Sequence, residues 1–247
     1  CAIIINVQKI LIQGELGSFH HEAAVKLFGS DIEIAPCSTF QQVFARLSDT
    51  EIGLVATDNS LYGGINEVYD LLEKSDVRIF AETELSIHQN LIALRDTRIT
   101  DIKEVYSHPV ALAQCENYLA NNLPHAEKVE FEDTAAAVRF ITEQNDPSKA
   151  AIASSASAKL YNIPIIASEI EDNAVNFTRF VALSRTPELH RQLAHKPLVG
   201  KASIILTTNH QPGALYEALG VFVSHQVNLT KLQSRPVIGE KWRYRFY

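Results

Sequence analysis

Short runs rich in Ile, Val, Leu and Phe recur along this chain, and between them the apolar residues switch to a helical spacing. That alternation of periods constrains the fold more than any other feature. The strand-like runs fall at residues 9–13, 32–36, 52–57, 77–81, 87–94, 105–107, 128–131, 150–153, 163–167 and 177–183. Between them, Ile65, Val68, Leu71 and Leu72 keep a 3.6-residue period, as do Ala111, Leu112, Cys115 and Leu119, and Ala136, Ala137, Phe140 and Ile141. Strands alternating with one-faced helices predict an α/β fold in which each helix buries its stripe against a sheet.

The rhythm breaks once. Residues 186–200 turn polar, with Pro187 and Pro197 as punctuation, before a new strand opens at Lys201. This segment reads as a linker between a first domain over 1–185 and a second over 201–247. In the second, the text predicts a strand from 201, a turn at Gln211-Pro212-Gly213, a helix over 214–225, and strands over 227–232 and 242–247. That is βαββ, the first part of a ferredoxin-like βαββαβ unit, shortened at its C-terminal side. Taken literally, it leaves its first strand short of one neighbour, a poor edge to expose.

Composition removes several classes of function. Hydrophobic residues make up 46% of the 247, yet no apolar run approaches the roughly eighteen residues a membrane helix needs. Twenty-two Lys and Arg against 29 Asp and Glu give a net charge of −7, and no basic stripe tracks a phosphate backbone, so nucleic acid is not an expected partner. Cys1, Cys37 and Cys115 lie far apart with no CxxC pair, which speaks against a disulfide framework or a zinc site. The opening CAIIINVQKILIQ lacks the basic start and small-residue cleavage site of a signal peptide and reads as a first strand, so the expected location is cytoplasmic. No HExxH, GxSxG, Walker or GxGxxG pattern is present, and no metal or organic cofactor is expected.

What remains is a set of strand-to-helix loops rich in Gly, Ser, Thr and Asn: Gly14 to Ser18, Asp58-Asn59-Ser60, Ser107-His108-Pro109, Asp133-Thr134 and Ser154-Ser155. Each can cap its helix, and each can equally aim backbone N–H groups at a carboxylate. Open α/β sheets bind ligands at the carboxyl ends of their strands, so convergence of these loops would make a small-anion site. Arg179 is the other signal, because an arginine between Phe177 and Phe180 in an apolar strand needs an anionic partner. Two readings stand: a structural ion pair to an internal carboxylate, or a bidentate clamp on a substrate carboxylate with Thr178 serving the same ligand. Neighbouring strand residues face opposite ways, so the second requires the strand to end or bend there. His20, His21 and His108 default to capping or core roles.

Taken together, these stretches resemble the prephenate dehydratase family over nearly the whole chain. Gly14-Glu15-Leu16-Gly17-Ser18-Phe19-His20-His21-Glu22-Ala23-Ala24 is similar to its GxxG(T/S)FxxxAA loop, and Asp58-Asn59-Ser60 to its ENS motif. Ser107-His108-Pro109-Val110-Ala111-Leu112-Ala113-Gln114-Cys115 resembles SHPxALxQC, Asp133-Thr134-Ala135-Ala136-Ala137 resembles STAxAA, and Asn176-Phe177-Thr178-Arg179-Phe180 resembles NxTRF. In the second domain, Pro212-Gly213-Ala214-Leu215 is similar to the family's GAL motif, and Asn228-Leu229-Thr230-Lys231 with Gln233-Ser234-Arg235-Pro236 to NLTKIESRP. Asp58 departs from the usual Glu, His20 from a frequent Ser or Thr, and Gln233 from a common Glu.

The resemblance implies a two-lobed catalytic domain like the type II periplasmic binding proteins, with a second lobe over about 80–165, followed by an ACT regulatory domain, in a dimer or tetramer. It implies a lyase that converts prephenate to phenylpyruvate, carbon dioxide and water in phenylalanine biosynthesis, with no cofactor. On that reading Thr178 handles the departing hydroxyl, Arg179 anchors a carboxylate, and Asn59, Ser60, Ser107 and Gln114 orient the ring. Gly17, Ser18, Phe19 and Phe180 line the substrate, while Gly213, Ala214, Leu215, Asn228, Leu229, Ser234, Arg235 and Pro236 bind phenylalanine as allosteric effector. Arogenate dehydratase is the nearest alternative, and a non-catalytic solute-binding protein of the same bilobed fold, suggested by the Cys1 start, is the other.

Overall fold

The computed structural model describes residues 9–186, 201–237 and 239–247. The chain divides into two compact units, Cys1–Pro197 and Leu198–Tyr247. The expected linker, apart from Thr186, and the start of the expected first strand lie outside the described residues.

The first unit opens with β1 (Lys9–Gln13), α1 (Phe19–Phe28), β2 (Glu33–Cys37), α2 (Phe40–Arg46), β3 (Ile52–Asn59), β4 (Gly63–Gly64), α3 (Asn66–Lys74) and β5 (Arg78–Ser86). It continues through β6 (Asn90–Ala93), a 3₁₀ turn, β7 (Glu104–Ser107), α4 (Pro109–Gln114), α5 (Glu116–Asn122), β8 (Glu127–Glu130), α6 (Thr134–Gln144), β9 (Lys149–Ala153), α7 (Ser155–Leu160) and β10 (Ile165–Ala167). It then returns with β11 (Phe177–Ser184). These strands make two sheets, β2-β1-β3-β11-β5 with β4 against β3, and β10-β6-β9-β7-β8. Each sheet with its helices is a lobe, and the chain crosses between lobes after β5 and again before β11.

In the first lobe, β2, β1 and β3 are parallel, as strands joined by crossover helices must be, and β11 enters antiparallel between β3 and β5. Ile10, Ile12, Leu54 and Phe180 pack on one face of that sheet, and Leu11, Val55, Val181 and Leu183 on the other. Helices covering both faces explain why its central strands read as continuous apolar runs.

One helical period is interrupted. The spacing of Ala111, Leu112, Cys115 and Leu119 predicts one helix, but two form, with the break at Cys115 (φ −115°, ψ 18°). Asp172 causes it: its N–H donates to the Gln114 carbonyl (2.7 Å) and its carboxylate accepts the Asn117 N–H (3.1 and 3.2 Å). That carbonyl and that N–H are diverted from the helical ladder.

The second unit contains β12 (Leu206–Thr207), α8 (Ala214–Ser224), β13 (Ser234–Pro236) and β14 (Tyr244–Phe246), with sheet order β12-β14-β13, all antiparallel. Order and helix fit three strands of a ferredoxin-like sheet. Two strand expectations need correction. The strand from Lys201 shortens to Leu206–Thr207, and residues 227–232 are not strand; the pairing partner of β14 lies further on, at Ser234–Pro236. Among the described residues, no helix is long and apolar enough to cross a membrane.

Candidate functional site

The site begins with a bulge. Phe180 of β11 faces Ala56 of β3, but Arg179 faces Asp58 and Thr178 faces Asn59, so Thr57 is an extra residue on β3. Its carbonyl accepts the Ile65 N–H (2.8 Å), and its hydroxyl donates to the Arg179 carbonyl (3.4 Å). Because side chains alternate, a one-residue offset exchanges every facing pair beyond it. In an unbulged ladder Thr178 would face the Asp58 carboxylate; here it faces the Asn59 amide.

That amide has one possible orientation. Asn59 Oδ1 accepts the N–H groups of Leu61 (2.9 Å) and Tyr62 (3.1 Å), so Nδ2 points the other way and donates to Asn176 Oδ1 (2.7 Å) and Thr178 Oγ1 (2.9 Å). The Thr178 oxygen thus accepts a hydrogen bond while its own proton is left to donate, and the residue is 9% exposed. Asn176 is fully buried, and among the described residues its Nδ2 has no partner, a deficit that typically costs about 1–3 kcal/mol. Ser60 ties the end of β3 to the same strand: its N–H donates to the Phe177 carbonyl (2.8 Å) and its Oγ accepts the Phe177 N–H (2.9 Å).

Arg179 faces the other way. Its Nε and Nη2 both donate to Glu82 Oε2 (2.8 and 2.6 Å), and Nη1 lies 3.4 Å from Asp58 Oδ2, which also accepts the Tyr69 hydroxyl (2.8 Å). Burial pulls the guanidinium pKa down, but the hydrogen bonds and charge of Glu82 more than offset it and the net direction is up. Burial, with the Asp58 hydrogen bond second, pushes the Tyr69 phenol up. Of the two readings of Arg179, the internal ion pair to Glu82 and Asp58 is the arrangement present in the structure.

Three of the loops, Gly14–Ser18, Asp133-Thr134 and Ser154-Ser155, meet, and their polar groups are largely engaged. Ser18 caps α1, His108 caps α4, Asp133 caps α6 and Ser154 caps α7. Gly17 (φ +89°) presents its carbonyl to the hydroxyls of Ser154 (2.8 Å) and Ser157 (2.9 Å) across the lobes. Gly14 (φ +89°) approaches Asp133 so closely that an added Cβ would lie 2.5 Å from its Oδ2. Glu15 closes the same seam with a bidentate pair to Arg139 (2.7 and 2.9 Å). The Gly14–Ser18 loop therefore joins first lobe to second. This geometry gives Gly17 a lobe-joining role and Ser18 a capping role.

Packing places the other expected first-unit residues as follows. Phe180 is 1% exposed and belongs to the first-lobe core, and Phe19, partly buried, packs against that core. Ser107 is fully buried and donates to the Ile152 carbonyl (2.6 Å), bracing β7 to β9. Gln114 is buried, with Oε1 accepting Gln89 Nε2 (3.0 Å) at the crossing between lobes. There Ile87 N–H donates to the Asn176 carbonyl (2.8 Å), and buried Glu171 accepts the Gln89 N–H (2.8 Å) and sits 2.8 Å from His88 Nδ1. Sequence reading passed over Gln89 and Glu171, which carry no local pattern. The lead for Asn176 was its place beside Thr178.

In the second unit, Gly213 (φ +87°) caps α8, and Ala214 and Leu215 line a concavity with His210, Trp242 and Tyr244. Asn228 and Leu229 are exposed coil, and Ser234, Arg235 and Pro236 form β13; these five do not line that concavity.

Comparison with known proteins gives these features a context. The prephenate dehydratase family model matches residues 10–188. The bifunctional chorismate mutase/prephenate dehydratase of Aquifex aeolicus is 37% identical over 242 residues, covering 97% of this chain and 64% of that protein. Arogenate dehydratase 2 of Petunia hybrida is 36% identical over 231 residues, covering 93% and 57%. The chain thus spans about three fifths of the length of these curated relatives. The crystal structure of an Arthrobacter aurescens prephenate dehydratase in complex with L-Phe superimposes with a TM-score of 0.80 at 28% identity, covering 96% of this chain and 78% of that one. With the family's domain matched across both lobes, from the first described strand to the end of β11, this chain belongs to the prephenate dehydratase family.

Proposed function

We propose that the chain converts prephenate to phenylpyruvate, carbon dioxide and water. The observation that carries this reading is the Thr178 hydroxyl, held by the Asn59 amide with its proton left to donate. In the reaction the bond from the ring to its carboxylate breaks and releases carbon dioxide. The electron pair moves into the ring, the bond to the 4-hydroxyl breaks, and the departing oxygen takes a proton to leave as water. Aromatisation supplies the driving force, so the protein has to position the ring and stabilise the leaving oxygen. A threonine hydroxyl is a weak acid, so Thr178 acts as hydrogen-bond donor and relay, with the transferred proton supplied from solvent. The Asn59–Asn176 pair holds that donor still.

Residues 1–185 form the catalytic domain on this reading, 186–200 the linker and 201–247 an ACT domain. Phenylalanine binds the second unit as feedback effector, and the protein works in the cytoplasm as a homo-oligomer. The phenylalanine complex of the Arthrobacter relative supports the effector's identity. Likeness to the Petunia arogenate dehydratase favours one second reading, in which the same ring bears an aminated side chain. Purified protein should form phenylpyruvate from prephenate in an ultraviolet assay, more slowly when phenylalanine is added. Turnover of arogenate in its place selects the second reading, and turnover of neither rejects both.

A further inference from the structure

The bulge that places Asn59 beside Thr178 has a buttress outside the motif loops. Ala56, the last β3 residue in register before the extra Thr57, donates its N–H to Nε2 of His20 (3.2 Å). The same imidazole stands edge-on to Phe180, the residue paired with Ala56, at 5.0 Å and 84°, and lies 5.7 Å from the ring of Phe40. One side chain thus bonds one strand and packs on the other at the point where the ladder slips. Its own position is set by the start of α1, where Ser18 Oγ accepts the His21 N–H (3.4 Å) and Gly17 N–H donates to His21 Nδ1 (2.9 Å).

We infer that His20 is a positioning residue for the reaction proposed above: by accepting the Ala56 N–H, it holds the one-residue offset that sets Asn59, and not Asp58, beside Thr178. The inference rests on that functional reading. Without an acceptor at position 20, a buried N–H loses this partner, and closing the ladder by one residue becomes a competing arrangement. That arrangement brings the Asp58 carboxylate to Thr178, where it accepts the hydroxyl proton that the leaving oxygen would otherwise receive. Burial lowers the His20 pKa to about 3, so the ring is neutral near pH 7, and an accepting Nε2 leaves the proton on Nδ1.

The test compares H20F, which keeps a ring but removes the acceptor, with H20Q, which keeps an acceptor, in the full chain. For H20F, kcat on prephenate should fall tenfold or more with KM within twofold, and the Ala56 amide should exchange with solvent at least tenfold faster. For H20Q, kcat should stay within threefold of wild type with the Ala56 amide protected. Unchanged kcat in H20F, or an equal fall in both variants, overturns the inference. If wild type itself does not turn over prephenate, the functional reading fails separately, and Ala56 exchange in H20F then decides whether His20 holds the bulge. Should H20F not fold, the wild-type imidazole ¹⁵N spectrum at pH 6 decides: an unprotonated Nε2 supports the inference and a protonated one overturns it.

Discussion

Thr178 and Arg179 are chain neighbours in one motif, yet they stand in opposite surroundings. Around Thr178 the groups are neutral: two amides, a hydroxyl and, behind Phe180, an uncharged imidazole. Around Arg179 stand two engaged carboxylates, Glu82 and Asp58, with the neutral Tyr69 phenol donating to Asp58. The contrast teaches that a continuous motif need not be a continuous site. The neutral face retains a donor to offer a ligand, whereas the charged face is satisfied internally and ties β11 to β5 and α3.

The largest expected effect tests the neutrality of the first face. His20 has a folded pKa of about 3, below the ordinary 6.5, so between those values the unfolded chain binds the extra proton. Stability from this group is fully present above pH 6.5 and falls at about 1.4 kcal/mol per pH unit toward pH 3, a total on the order of 5 kcal/mol. Urea melts at pH 7 and 4.5 should show about 3 kcal/mol of that loss in wild type and a shallower one in H20Q. Equal slopes would mean the imidazole is not held neutral. Next, T178A should lower kcat on the order of a hundredfold with little change in melting temperature, and T178S should recover most of it. Normal turnover in T178A would remove the hydroxyl from the mechanism.

On the charged face, R179M should cost about 2 kcal/mol, because Glu82 and Asp58 lose their counter-charge in a site that is only partly exposed. The double variant E82Q/R179M should regain part of that loss. R179K should likewise show itself in melting and not in KM; a tenfold rise in KM without a melting change would break the comparison and return Arg179 to the substrate. The smallest effect is Y69F, about 1 kcal/mol from the lost hydrogen bond to Asp58, with kcat unchanged.

The α/β architecture was legible because apolar runs and helical spacings report burial directly. Lys9–Gln13 falls where the pattern places it, and Phe177–Ser184 within one residue. The gaps are non-local. Thr57 reads as one more β-branched strand residue, and only pairing with β11 makes it a bulge. The apolar period through Cys115 continues in the text, but Asp172, far along the chain, interrupts it. In the second unit, β13 is set by the register of Tyr244–Phe246, not by the apolar residues 227–232 that precede it. Within the site, Asn59 and Thr178 could be named from motif, whereas Glu82 as the partner of Arg179 required the β5–β11 register.

The return of β11 has a consequence for biosynthesis. The second sheet is assembled from one uninterrupted stretch, Asn90 to Ala167, but the first has a gap between β3 and β5 until Ser184 has been made. On the ribosome the distal lobe can therefore mature while the proximal one waits with two unpaired inner edges, and the strand bearing Thr178 is its last piece to arrive. Completion of the proximal sheet and creation of the Asn59–Thr178 contact become a single event.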